Sequence, residues 1–228
     1  MGRCTGDVKG RAARAAIAGA LIAPLTLGVL IALPFLAPLA LPRGDSPHPA
    51  TELLVDSWTS LKFAGALMWG VALALITGEN ALRFGLAGLI AMVVGDSLVF
   101  GPLSAALAPL FPITLEDQPH REMAVTFPIA AATVVVLTGI GFAVAARRPR
   151  LWPVLSIGAG GAAAAAAVIS IALLYAIGVR TGGGDLAMPR VFAIGTLAAT
   201  AVAGAIEAAA LAARGRTAGA EAARAYAR

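Results

Sequence analysis

The sequence predicts an all-α integral membrane protein, with six transmembrane helices in a compact bundle and both termini cytoplasmic. Three observations carry this. Hydrophobic residues make up 59% of the chain and charged residues only 13%, against about a quarter charged in soluble domains. The apolar residues fall into six segments, each near the roughly 20 residues that cross about 30 Å of hydrocarbon. The basic residues gather at alternate ends of those segments.

The first segment, 15–36, follows a basic tail (1–14), contains Pro24 and is closed by Pro34, Pro38 and Pro42. Each proline removes a backbone donor, so its outer end should be kinked or extended. A polar connector, 42–60, leads to the second span, 61–77. Glu79, Asn80 and Arg83 form a tight turn, with an ion pair expected between Glu79 and Arg83 at i, i+4. The third apolar run, 84–111, would measure about 42 Å as one helix. It is therefore expected to span over 84–100 and to break at Gly101-Pro102, leaving 103–110 at the interface.

An acidic connector, 114–122, precedes the fourth span, 124–145, which ends at Arg147-Arg148-Pro149-Arg150. The fifth span is 151–179. A glycine-rich connector, 181–189, leads to the sixth, 191–213, and a basic tail (214–228) follows.

With the N-terminus inside, the inner side holds twelve Lys and Arg: Arg3, Lys9, Arg11, Arg14, Arg83, Arg147, Arg148, Arg150, Arg214, Arg216, Arg224 and Arg228. The outer side holds five: Arg43, Lys62, Arg121, Arg180 and Arg190. The positive-inside rule then puts both termini in the cytoplasm. Two of the 17 basic residues are Lys, a bias toward Arg that fits GC-rich bacterial coding and hence a bacterial inner membrane. Trp152 at the inner interface, with Trp58 and Tyr175 near the outer one, fits an aromatic belt.

Several classes are excluded. Cys4 is the single cysteine, so no intrachain disulfide, CxxC pair or thiolate metal cage can form. The apolar run after the basic start is too long for a signal-peptide core, so an uncleaved first span is expected. The net charge of +5 is spread over segment ends rather than gathered in one patch, which argues against nucleic acid. No P-loop, Rossmann fingerprint, paired-aspartate prenyl diphosphate motif or GxSxG is present. No cofactor is expected. The lipid bilayer is the expected partner, with another membrane subunit or a second copy as a further one.

Lipid tails are as apolar as leucine, so helices associate in a membrane through close packing of small residues. Gly85 and Gly88 in the third span, Gly158 and Gly161 in the fifth, and Gly204 in the sixth are the expected contact glycines.

Asp96 is the leading candidate for function. It lies roughly 18 Å into the third span, where an ionisable group is costly and normally faces protein or water. Ser97 and Ser104 are possible hydroxyl neighbours. Glu207 is second. Thr196, Thr200, Gly204 and Glu207 follow spacings of four, four and three, one helical face that should turn inward. Its depth of about 6–9 Å also fits snorkelling to the inner interface beside Arg214. The outer connectors supply a third group. His48, Glu52 and Asp56 share a helical face if Pro49 opens a helix, and His120 and Glu122 lie on the next connector. Imidazoles and carboxylates together are potential metal ligands or proton relays.

These features predict a small transport or transport-accessory protein built around a membrane-embedded acid. The alternatives are a membrane enzyme acting on a lipid or prenyl substrate at the outer face, and a structural or assembly subunit.

Overall fold

The computed structural model describes residues 3–33, 49–100, 102, 118–180 and 188–214. Among these residues the chain is helical, with no strand. The helices are α1 (Arg3–Ala23, continued through a π turn at Pro24–Gly28), α2 (Pro49–Asp56), α3 (Trp58–Thr77), α4 (Ala81–Val94, continued through a π turn at Gly95–Phe100), α5 (Gln118–Ala145), α6 (Ala159–Arg180) and α7 (Met188–Arg214). A 3-10 turn at Pro149–Leu151 and a third π turn at Val154–Gly158 lead into α6. Four stretches, Val8–Leu33, Trp58–Thr77, Pro149–Leu174 and Ala193–Ala213, are long and apolar enough to cross a membrane, and Ala132–Ala145 is a shorter apolar helix.

The short α2 leads through Ser57 directly into α3, and the long helices from α1 to α6 run antiparallel to their neighbours. On α1 and α3, Trp58 reaches Ile31 while Gly65 meets Leu27. On α3 and α4, Gly70 abuts Phe84 and Ala66 abuts Gly88. Between α4 and α5, Phe84 stacks on Phe142 at 5.5 Å and Gly95 faces Leu137. Gly139 meets Leu155, and Gly160 meets Val136. Helix α6 packs on α7, and α7 returns against α1, where Gly19 faces Gly204 and Gly28 faces Thr200. The helices thus close a ring in sequence order, with Trp69, Leu73, Phe142, Leu155 and Leu211 among its buried side chains.

The helix ends explain the tight turns. Asn80 caps α4, its side-chain oxygen accepting from the Arg83 N–H at 3.0 Å. Gly78 ends α3 in the left-handed region (φ 75°), and the Glu79 N–H reaches back to the Ala74 carbonyl at 2.9 Å, a Schellman closure. Helix α5 ends the same way, with Arg147 at φ 55° and the Arg148 N–H on the Ala143 carbonyl at 3.0 Å.

Several boundaries differ from the sequence expectation. Pro24 does not break its helix. Lacking an N–H for the Ala20 carbonyl, it is absorbed by a wider turn in which the Val29 N–H bonds to the Pro24 carbonyl. A π turn also precedes Pro102, which is itself helical, and it carries Asp96. A proline ring crowds the carbonyl four residues earlier, here Leu98 inside that turn. Gly101 and residues 103–110 lie outside the described residues. With 14 + 6 residues, α4 and its π turn measure about 30 Å. Helix α5 starts at Gln118, so part of the expected acidic connector is helical, with Pro119 in the first turn where its missing donor costs nothing. Helix α3 starts at Trp58 rather than 61.

Candidate functional site

Helix α3 brings polar groups to three heights of the bundle. Lys62 lies near its start, Trp69 near its middle, and Glu79 just beyond its end. At 1.5 Å per residue, Lys62 and Trp69 are separated by about 10 Å along the axis, and Trp69 and Glu79 by about 15 Å.

At the first height, Lys62 Nζ pairs with Asp96 Oδ1, and its ammonium sits 4.5 Å from the centroid of the Trp58 ring. Trp58 is anchored in turn, its Nε1 donating to the Ile31 carbonyl at 3.0 Å. The side chains of Lys62 and Asp96 are 12% and 24% exposed, so the pair is largely shielded but still touches the surroundings. Asp96 thus faces protein, but its partner is a cation from the preceding helix α3 rather than a serine hydroxyl of its own segment. Ser97, in the same π turn, is exposed, and Ser104 lies outside the described residues.

At the second height, Glu207 is 1% exposed, and its Oε2 accepts from Trp69 Nε1 at 2.8 Å. Among the described residues its other oxygen, Oε1, has no hydrogen-bond partner, and no cation lies within ion-pair distance. Snorkelling toward Arg214 is therefore corrected. The residue turns inward because the whole face from Thr196 does: Thr196 and Thr200 are 3% and 7% exposed, and Gly204 is buried against α1. The Thr200 hydroxyl donates to the Thr196 carbonyl at 2.8 Å, a back-bond that satisfies the hydroxyl without a second helix.

At the third height, Arg148 joins three elements. Its Nη2 pairs with Glu79 at 3.0 Å, and its Nη1 donates to the Leu211 carbonyl at 3.3 Å. The expected Glu79–Arg83 pair does not form. The left-handed residue at Gly78 swings Glu79 off the helix axis, toward the end of α5.

The outer metal candidates are only partly described. Pro49 opens α2 as its first residue, and Glu52 and Asp56 are exposed on it. His48 lies outside the described residues, while His120 and Glu122 lie on α5 where the backbone alone is described. No group of three metal-ligating side chains occurs among the described residues.

The contact glycines divide. A Cβ on Gly204 would sit 2.5 Å from the Ala23 Cβ, one on Gly88 2.5 Å from the Ala66 carbonyl, and one on Gly85 2.9 Å from a Val71 methyl. Gly161 has nothing within 4 Å of such an atom, and Gly158 only the Pro153 carbonyl at 3.7 Å. Those two are corrected: α6 uses Gly160, Ala163 and Ala167 for its packed face instead.

Asp96 and Glu207 stay apart, as the heights of their partners on α3 require. Sequence reasoning missed Lys62, Trp69 and Arg148, each of which was legible in part. Trp69 is an indole N–H inside an apolar run, a donor that needs a buried acceptor. Lys62 stands four residues after Trp58, one turn along the same face.

Comparison with protein families, with curated proteins and with solved structures gives no match.

Proposed function

We propose that this chain is a small transport protein, or an accessory of one, that crosses a bacterial inner membrane six times with both termini in the cytoplasm. The antiparallel pairing of α1 with α3, α3 with α4, α4 with α5, α5 with α6 and α7 with α1 supports the even number of crossings. The twelve-to-five distribution of Lys and Arg supports the orientation.

One observation carries the transport reading. Glu207 is fully buried in the ring, bonded through one oxygen only, at the end of a polar stripe on α7. Acids kept inside membrane bundles without a paired cation mark ion and proton pathways. In this reading Glu207, rather than Asp96, carries the charge-coupling step, and the Lys62–Asp96 pair closes the outer end above it. Cation and proton flux through reconstituted vesicles tests it. Wild-type protein should carry a flux above empty vesicles, and Glu207→Gln should reduce it at least tenfold while unfolding at the same temperature. Equal flux in both would remove Glu207 from the mechanism. A labelling map on a Cys4→Ala background, with single cysteines at Arg150 and Glu52, tests the orientation; labelling of Arg150→Cys from outside would overturn it.

A further inference from the structure

We propose that the groove between α4 and α5 is a binding site for one anionic phospholipid of the inner leaflet. The proposal does not depend on transport. It rests on the orientation proposed above, which puts the Arg83 end of α4 at the inner headgroup layer.

The groove has a volume of about 660 Å³ and opens outward from the bundle. Small residues form its floor: Ala87 and Ala91 on α4, Gly141 and Ala145 on α5. The two helices come close there because a Cβ on Gly141 would lie only 3.1 Å from the Ala87 carbonyl. Large apolar side chains form the rims. Ile90 is 60% exposed and Val144 70% exposed, so these walls face outward rather than inward. Along α4 the groove runs from Arg83 to Val94, about 16 Å at 1.5 Å per residue. That matches the roughly 15 Å of hydrocarbon in one leaflet, half of a core about 30 Å thick. An acyl chain fits this length with its headgroup at one end.

Both charged lining residues, Arg83 and Arg147, stand at that end. Both are exposed, and neither guanidinium makes an ion pair or hydrogen bond with a described residue. The contrast with the next residue is informative, since Arg148 is fully engaged by Glu79 and Leu211. Two unengaged guanidiniums at the mouth of a leaflet-deep apolar groove fit the charge and geometry of a phosphodiester. The backbone adds to this. Arg147 occupies the left-handed closing position of α5, where α3 uses Gly78. A side chain is disfavoured there by about 1–2 kcal/mol, yet in this position it directs a guanidinium to the groove mouth.

The test is mass spectrometry of the intact protein released from micelles after titration with phosphatidylglycerol or phosphatidylcholine. Wild-type protein should retain one phosphatidylglycerol in preference to phosphatidylcholine. Arg83→Gln with Arg147→Gln should weaken that retention about thirtyfold, five- to six-fold per arginine. Arg147→Gly alone should weaken it about fivefold while unfolding at the same or a higher temperature, which separates lipid binding from folding. Arg14→Gln, an exposed basic residue on α1 away from the groove, should change nothing. Equal retention of both lipids, or undiminished phosphatidylglycerol in the double variant, would overturn the site. So would a disulfide-linked dimer formed through Val144→Cys on a Cys4→Ala background, which would make the occupant a second copy.

Discussion

Trp69 Nε1 donates to Glu207 Oε2 at 2.8 Å across the interior of the helical ring, joining α3 to α7. Trp69 is 2% exposed and Glu207 1% exposed, so neither group can find water if the other is removed. Trp69→Phe keeps most of the ring volume but leaves the carboxyl with no described donor. That should destabilise the protein by about 0.5–2 kcal/mol, the span of values for hydrogen bonds between membrane helices, read as a lower midpoint in thermal or denaturant unfolding. Glu207→Gln retains an acceptor for the indole and should unfold within about 1 kcal/mol of wild type. An unchanged midpoint in Trp69→Phe would show that the bond contributes nothing to the fold.

Lys62 and Asp96 answer a different question, because each is ionisable and each is shielded by the other. Removing one partner alone leaves a charge in a poorly hydrated place, so Lys62→Met and Asp96→Asn should each destabilise. The double variant should cost less than the sum of the two, with a coupling of about 0.5–3 kcal/mol in a double-mutant cycle. Exchanging the residues, Lys62→Asp with Asp96→Lys, should recover part of the loss, less any contribution from the ammonium on the Trp58 ring. Strict additivity in the cycle would mean that the two charges act independently.

The fold was legible in the sequence where chemistry is local, and less so where it depends on a neighbouring helix. The apolar stretches, the tight turn at Glu79 to Arg83, the helix start at Pro49 and the inward face of Thr196 to Glu207 follow from spacing alone. The partners of the charged residues do not. Glu79 and Arg83 have the right separation for an ion pair, but Gly78 takes a left-handed turn and sends Glu79 to Arg148 instead. Asp96 was expected among hydroxyls because its own segment offers serines, yet its cation comes from α3. Gly158 and Gly161 looked like contact residues by composition. Only the rotation of α6 about its axis, which a run of alanines does not specify, decides that Gly160 faces α5 and Gly161 faces outward. Pro24 was expected to kink its helix, and the π turn that follows it keeps α1 continuous instead.

Arg148 should be the least replaceable basic residue among those described. One guanidinium holds the Glu79 carboxylate at the end of α3 and the Leu211 carbonyl on α7. Lysine offers a single point charge and cannot reach both in a fixed fork. Arg148→Lys is therefore expected to lose most of what Arg148→Ala loses, about 1–2 kcal/mol for a partly exposed pair plus one hydrogen bond. The same replacement at Arg150 should change stability by less than about 0.5 kcal/mol. Thermal unfolding of the three variants side by side checks this, and full rescue by lysine would show that charge alone is needed.

The glycine contacts give the sharpest contrast. A Cβ on Gly19 would overlap the Gly204 carbonyl, and one on Gly204 would crowd Ala23, so the backbones of α1 and α7 touch directly. Interior helix contacts cannot absorb such an atom without the helices moving apart, and overpacking of this kind costs about 1–3 kcal/mol. Gly19→Ala and Gly204→Ala should both destabilise by that amount. The effects should be less than additive in the double variant, since the first substitution already separates the helices. At Gly161 the added methyl meets nothing within 4 Å. There the gain in helix propensity acts alone, and Gly161→Ala should stabilise by up to about 1 kcal/mol. A loss of stability at Gly161 equal to that at Gly204 would place α6 in a different rotation, with its alanine face no longer toward α7.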